Sequence, residues 1–170
     1  MKLNPYDIDL GKDDIAVLNT PDTFSRRLST EDAQLSMDVP IVIKYDYVDL
    51  GKTAYHFKQE FLLEDTQNYF SIMKDISSNT INNLVRKGRQ YHFYRSDYRG
   101  NLKRAVALMF NNVDEDIILY HFGLYESEGG EASRETGKRS PRIYFILGNN
   151  GHIYILFFDP FHELNPLTKL

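Results

Sequence analysis

Arg142-Ile143-Tyr144-Phe145-Ile146-Leu147-Gly148-Asn149-Asn150-Gly151-His152-Ile153-Tyr154-Ile155-Leu156-Phe157-Phe158-Asp159 is the stretch that decides the fold. Two runs rich in β-branched and aromatic residues flank Gly148-Asn149-Asn150-Gly151, and Asn and Gly tolerate the positive φ of tight hairpin turns. The second run is apolar on both faces, which predicts a central, buried strand. Asp159-Pro160 ends it, because proline lacks the N–H that a ladder needs and restricts the residue before it. A hairpin returns the exit of its second strand to the entrance of its first. Arg142 and the residues just after Asp159 are therefore expected at one end of the sheet.

Working outward, residues 117–125 read as another strand. Residues 126–141 read as a flexible loop that holds Gly129, Gly130, Gly137 and Pro141 and no large apolar side chain. Leu102, Val106, Met109 and Phe110 mark a helix that stops at Asn111-Asn112, and residues 90–95 read as a short strand. Tyr69, Phe70, Met73 and Ile76 recur at helical spacing after a cap at Asp65 or Thr66. Ser77-Ser78 then offers a fresh cap before Ile81, Leu84 and Val85, so a kinked helix or a helix pair ends at Gly88. Residues 40–50 and 55–63 read as a hairpin with one wet face.

Strands grouped at both ends of a helical block predict an α+β fold. The expected architecture is a single domain over residues 39–170, a mostly antiparallel twisted sheet with helices packed on one face. An acidic N-terminal arm over residues 1–38 precedes it and lies on the domain, with at most a short helix near residues 30–37.

A length of 170 residues suits one core, and a hydrophobic content of 42% excludes a mainly disordered chain. The absence of cysteine removes disulfides, thiolate metal sites and thiol nucleophiles. No apolar leader opens the chain, and residues 153–158 form an apolar run far too short to cross a bilayer, so no membrane is expected and a cytoplasmic location is the default. The net charge of −4 hides an asymmetry: residues 1–65 carry an acidic excess, whereas residues 82–104 hold Arg86, Lys87, Arg89, Arg95, Arg99, Lys103 and Arg104 against Asp97 alone. Such an island points to an anionic partner.

Three segments are candidate sites. The first is Asp159-Pro160-Phe161-His162-Glu163 at the exit of the central strand, where His162 suits proton transfer and Asp159 or Glu163 is expected to fix its tautomer and raise its pKa. The plain alternative is a turn in which Asp159 caps the backbone. The second is the basic island with its aromatics, in which Arg89, Tyr91, His92, Tyr94, Arg95, Arg99, Lys103 and Arg104 are expected to bind single-stranded nucleic acid by stacking and phosphate neutralisation. Strand alternation would place Tyr91, Phe93 and Arg95 on one face and His92 and Tyr94 on the other. In the alternative, Phe93 and one tyrosine are core and the arginines pair with the acidic arm. The third is the 126–141 loop, whose Arg134, Lys138 and Arg139 would close over a phosphate-bearing ligand or simply belong to a connector. His56, His121 and His152 fall within strand patterns and read as structural. No metal site and no cofactor are expected.

The order of helices over residues 66–87, a strand, Arg142 to Ile146, a tight turn, His152 to Phe158 and a closing His162 resembles the RelE/ParE-type toxin superfamily of small ribonucleases over roughly the last hundred residues. That resemblance implies a compact sheet whose basic and proton-transferring residues promote 2′-hydroxyl attack on the adjacent phosphodiester of messenger RNA. Arg142 would stabilise phosphate charge and His162 would transfer a proton. The acidic arm and the helix of residues 102–110 have no counterpart in the minimal toxin. The leading expectation is thus an RNA-directed, toxin-like protein, with metal-independent endoribonuclease chemistry as its sharpest form. The rival is a non-catalytic module that docks a protein partner through the acidic arm or a sheet edge. A small-molecule enzyme with Asp159, His162 and Glu163 lining a pocket is the third class.

Overall fold

The computed structural model describes residues 37–111, 113, 117–126 and 132–166. The expected acidic arm, apart from Met37 and Asp38, lies outside the described residues, and so does nearly all of its short helix. The elements are β1 (Val42–Lys44), α1 (Leu63–Ser77), α2 (Ile81–Arg86), α3 (Gly88–Tyr91), β2 (Tyr94–Ser96), α4 (Gly100–Met109), β3 (Leu119–Gly123), β4 (Arg142–Leu147) and β5 (His152–Asp159). They build the α+β fold that the strand and helix pattern predicts, around one five-stranded sheet of order β1-β5-β4-β3-β2.

The β4–β5 hairpin forms with Arg142 opposite Asp159. Its connection places Asn150 and Gly151 at φ 54° and 71°. Gly151 is required twice over, since a Cβ there would lie 2.7 Å from the Pro40 carbonyl oxygen. Between β4 and β5 the register skips Leu156, so Leu156 and Phe157 both pack on one face and Ile155 and Phe158 on the other. This bulge is why the second strand is apolar without alternation. β5 is an interior strand, paired with β4 on one side and with β1, in parallel, on the other.

The helices divide between the two faces instead of gathering on one. Ile143 and Phe145 meet Tyr69, Met73 and Ile76 of α1 and Ile81 and Leu84 of α2. Tyr144 and Ile146 meet Leu102, Ala105 and Val106 of α4. Alternation along β4 thus feeds two apolar layers, and a strand apolar on both faces requires a cover on each.

Three local expectations are corrected. Residues 40–63 form no hairpin: only Val42–Lys44 is a strand, and the chain then drapes irregularly, with Phe57 and Phe61 packed on Phe158 and Tyr69. Asp49 fixes that drape, accepting the N–H of Gly51, Lys52 and Thr53. Residues 88–91 are a helical turn, so the strand expected over 90–95 is reduced to Tyr94–Ser96. The helix pair is real, but its second cap is Thr80, whose Oγ1 accepts from Asn83 N, and Asp65 sits inside the first turn of α1 and accepts from Leu62 N.

Candidate functional site

On the α4 side of the sheet, the strand register brings side chains from four segments together. β2 sets Tyr94 opposite His121, and β4 sets Tyr144 opposite His121 and Arg142 opposite Gly123. His121 and Gly123 therefore share a face with Arg142 and Tyr144. His162, three residues beyond β5, stacks its ring against His121 with centroids 5.6 Å apart. His92, from the turn between α3 and β2, approaches Gly123 from the same end. A Cβ at Gly123 would lie 2.9 Å from Arg142 Nη1 and 3.1 Å from His92 Cβ, so this glycine makes room for both.

Arg142 is the centre. Its side chain is 5% exposed, yet Nη2 donates to Glu126 Oε1 at 2.5 Å and Nη1 lies 3.3 Å from the carbonyl oxygens of Ser140 and Pro141. Glu126 in turn takes Ser140 Oγ at 2.9 Å on Oε2 and lies 3.2 Å from His92 Nδ1 through Oε1. Three donors thus converge on one carboxylate, whose side chain is 48% exposed. These contacts hold the Glu126 carboxyl below its usual range against the opposing effect of burial. Arg142 Nε and His162 Nε2 are buried and meet no protein partner among the described residues. Such orphans are rare in packed interiors and call for an explanation at the site where they occur.

Two of the cluster's histidines, His121 and His162, are held neutral. Burial, with the charges of His162, Arg142 and His92, pushes His121 down to about 3. Burial and the Arg142 and His92 charges push His162 down to about 4, with Glu126 opposing. His121 Nδ1 shares a 2.8 Å hydrogen bond with Ser96 Oγ. His92 and His162 occupy the left-handed region at φ 47° and 59°, and Asn150 is the other non-glycine residue to do so among the described residues. Histidine tolerates this conformation better than most residues, and such backbone strain clusters at functional positions.

Arg142 and His162 are brought together, as the hairpin geometry predicts. Asp159 and Glu163 do not serve His162. Asp159 is fully buried, and its carboxylate accepts the N–H of Phe161 and Leu164, which is the turn cap of the plain alternative. Burial raises Asp159 to about 6. Glu163 pairs with Arg134, and neither carboxylate contributes to the shift of His162, which falls instead of rising.

The island divides. Tyr91 is buried and its hydroxyl donates to Asp75, and His92 belongs to the cluster. Phe93 is core, as is Tyr91, while Arg95 is exposed, so the expected shared face of Tyr91, Phe93 and Arg95 does not form. Tyr94 and Arg95 are exposed on the edge strand β2, with the Tyr94 ring 6.0 Å from that of His121. Arg89, Arg99, Lys103 and Arg104 are exposed, with Arg99 paired to Asp97 and Lys103 5.9 Å from the Tyr98 ring. Whether the acidic arm covers Arg95, Arg99 and Arg104 lies outside the described residues.

In the third segment, Ser133 and Lys138 form a bridge that closes a small hairpin, and Arg134 and Arg139 are spent on ion pairs to Glu60, Glu163 and Asp65. His121, Glu126, Ser96, Ser140 and Gly123 were not among the expected site residues. The readable signal was the face shared by Leu119, His121 and Gly123 in a strand pattern, which puts an imidazole and a glycine where a neighbouring strand begins. Among the described residues no group of three His, Asp or Glu side chains is placed to hold a metal ion, and no helix is long and apolar enough to cross a membrane.

No protein-family model, curated protein or solved structure matches this chain.

Proposed function

We propose that this protein cleaves single-stranded RNA without a metal, using the histidine cluster around Arg142. One observation carries the reading: a buried arginine and two left-handed histidines, His92 and His162, gather at one sheet end, with the donors of an anion site turned onto the half-exposed Glu126. Donors that hold a carboxylate fit a phosphodiester equally well, because both present paired anionic oxygens.

In this reading an incoming phosphate displaces Glu126. His162, neutral near pH 7, takes the proton of the ribose 2′-hydroxyl. The 2′-oxygen attacks phosphorus and the bond to the 5′-oxygen breaks. His92, when protonated, returns a proton to that leaving oxygen, and the product ends in a 2′,3′-cyclic phosphate. Arg142 stabilises the charge that develops on the non-bridging oxygens. His121, fixed by Ser96, positions His162 by ring contact. Tyr94 and Arg95 on the open β2 edge supply a stacking ring and a phosphate contact for the strand that leads in.

The test is cleavage of a labelled single-stranded RNA in chelator at low salt. His162→Ala is expected to lower the rate by about 10²–10⁴-fold, the usual range for a proton-transfer group. Binding without cleavage by the unaltered protein would remove the catalytic role. It would favour a second reading, docking of a partner along the exposed β2 edge.

A further inference from the structure

A groove of about 310 Å³ opens beside the cluster, and His92 and Gly123 line both. Its other walls are Ser71, Ile72 and Asp75 of α1, Gln90 and Tyr91 of α3, and Leu124 and Tyr125 beyond β3. The volume lies at the lower end of the roughly 300–1,000 Å³ typical of small-ligand sites. Ile72 and Tyr125 are partly buried and Leu124 is buried, so they offer apolar contact, whereas Ser71, Asp75 and Gln90 are exposed and polar. Tyr91, buried against the core, donates its hydroxyl to Asp75 Oδ2 and so holds that carboxylate at the groove wall.

We infer that this groove is a nucleobase site that prefers guanine, with the attached phosphate lying toward His92 and Arg142. The inference rests on reading the cluster as a phosphodiester-cleaving centre. A carboxylate only accepts hydrogen bonds, so it selects a base edge that presents donors. Guanine offers two adjacent donors, N1–H and the 2-amino group, to the two oxygens of a carboxylate. Adenine, cytosine and uracil each set at least one acceptor beside their donor on the same edge, and that acceptor would face Asp75 unpaired or repelled. A site built to hydrogen-bond one pattern rejects the analogue that lacks it, because a polar group is then left without a partner. Gln90, with both donor and acceptor groups, suits the carbonyl at guanine position 6.

The experiment is calorimetric titration of the full chain with the 3′-monophosphates of guanosine, adenosine, cytidine and uridine, and with inorganic phosphate. Guanosine 3′-monophosphate is expected to bind at least about tenfold more tightly than the other three. Asp75→Asn is expected to bring that preference below about twofold, and Ser71→Trp, which fills the groove from an exposed helical position, is expected to do the same. Equal affinity for all four nucleotides, no binding of any, or a preference that survives both variants overturns the inference. Failure here is distinct from failure of the catalytic reading: RNA cleaved with no preference at guanosine, and nucleotides bound alike, defeats the base site alone. Selective binding of the guanosine nucleotide by a protein that leaves RNA intact supports the base site and defeats the catalytic role.

Discussion

Two arginines three positions apart, Arg139 and Arg142, make the same kind of bond to different effect. Arg139 donates to Asp65 Oδ2 at 2.5 Å and to the Glu60 carbonyl at 2.8 Å. Asp65 is 0% exposed and also accepts from Leu62 N and the Tyr125 hydroxyl, so the pair is closed on both sides. Arg142 is more deeply buried still, but its carboxylate partner stands half in water, its Nε has no protein partner among the described residues, and it lies beside the left-handed His92 and His162, the latter held neutral. The exposure of the carboxylate, rather than that of the arginine, separates a pair that fastens the fold from one a ligand can replace. A buried ion pair broken on one side leaves an uncompensated charge, whereas an exposed partner gives up little when it leaves.

The comparison predicts its largest effect at Asp65. Asp65→Ala strands Arg139 between Phe158 and Phe161 and removes the acceptor for Tyr125 and for the α1 N-terminus. A loss of about 3–5 kcal/mol is expected by urea unfolding. A loss no larger than that of Glu126→Ala would break the contrast between the two pairs.

Acid tests the histidine end next. His121 and His162 have folded pKa values of about 3 and about 4, both below the ordinary 6.5, so the unfolded chain binds their protons first. Their contribution is complete above pH 6.5 and is lost as the pH falls, down to about 4 for His162 and about 3 for His121. Asp159, raised to about 6, works the other way: the folded protein binds its proton first, so it gains stability over the same descent. These two histidines against one aspartate leave a net of about one proton, to which His152, also lowered by burial, adds in the same direction, so stability is expected to fall by at least about 1.4 kcal/mol per pH unit between pH 6 and 4. His121→Asn should flatten that slope; a slope of unchanged steepness would mean that His121 is not held neutral.

Gly123→Ala sharpens the comparison at the level of packing. The nearest atoms the added methyl would meet belong to Arg142 and His92. A cost of about 1–3 kcal/mol is expected, as for an overfilled core, together with loss of RNA cleavage. Retained cleavage at wild-type rate would show that the close approach of His92 and Arg142 is incidental.

The sequence showed some of this and hid the rest for physical reasons. The β4–β5 hairpin carries its own turn chemistry and a continuous apolar run, and it alone implies that Arg142 and His162 share one end. α1, α2 and α4 are visible as 3.6-residue periodicity. Residues 55–63 alternate like a strand, yet the alternation arises because Phe57 and Phe61 dip onto Phe158 from an irregular chain that Asp49 holds by its own hydrogen bonds. Period two reports which side chains are buried and says nothing about whether a ladder partner exists. His121, Ser96 and Glu126 stayed hidden because their meeting depends on the order β4-β3-β2 and on register, which no local pattern specifies. The position of α4 on the second face stayed hidden for a related reason: a strand apolar on both sides demands two covers, but only the bulge at Leu156 shows how one chain satisfies both.

The smallest expected effect on stability is the most telling one for function. Glu126→Ala removes a carboxylate whose side chain is 48% exposed, so water can take its place beside Arg142, and the loss of stability is expected to be smaller than for Asp65→Ala, where no solvent reaches the vacated carboxylate site. Its chemical consequences reach further. The Arg142, His92 and Ser140 donors lose their resident acceptor, so inorganic phosphate should bind several-fold more tightly, read by perturbation of the His92 and His162 ring resonances. The charge of Glu126 raises the pKa of His162, so its removal lowers that pKa further, and the acid limb of RNA cleavage should move to lower pH. Asp65 offers the control, because its loss removes a carboxylate without opening an anion site. If Glu126→Ala weakens phosphate binding, the carboxylate is a structural strut like Asp65, and the distinction between the two arginines fails where it matters most.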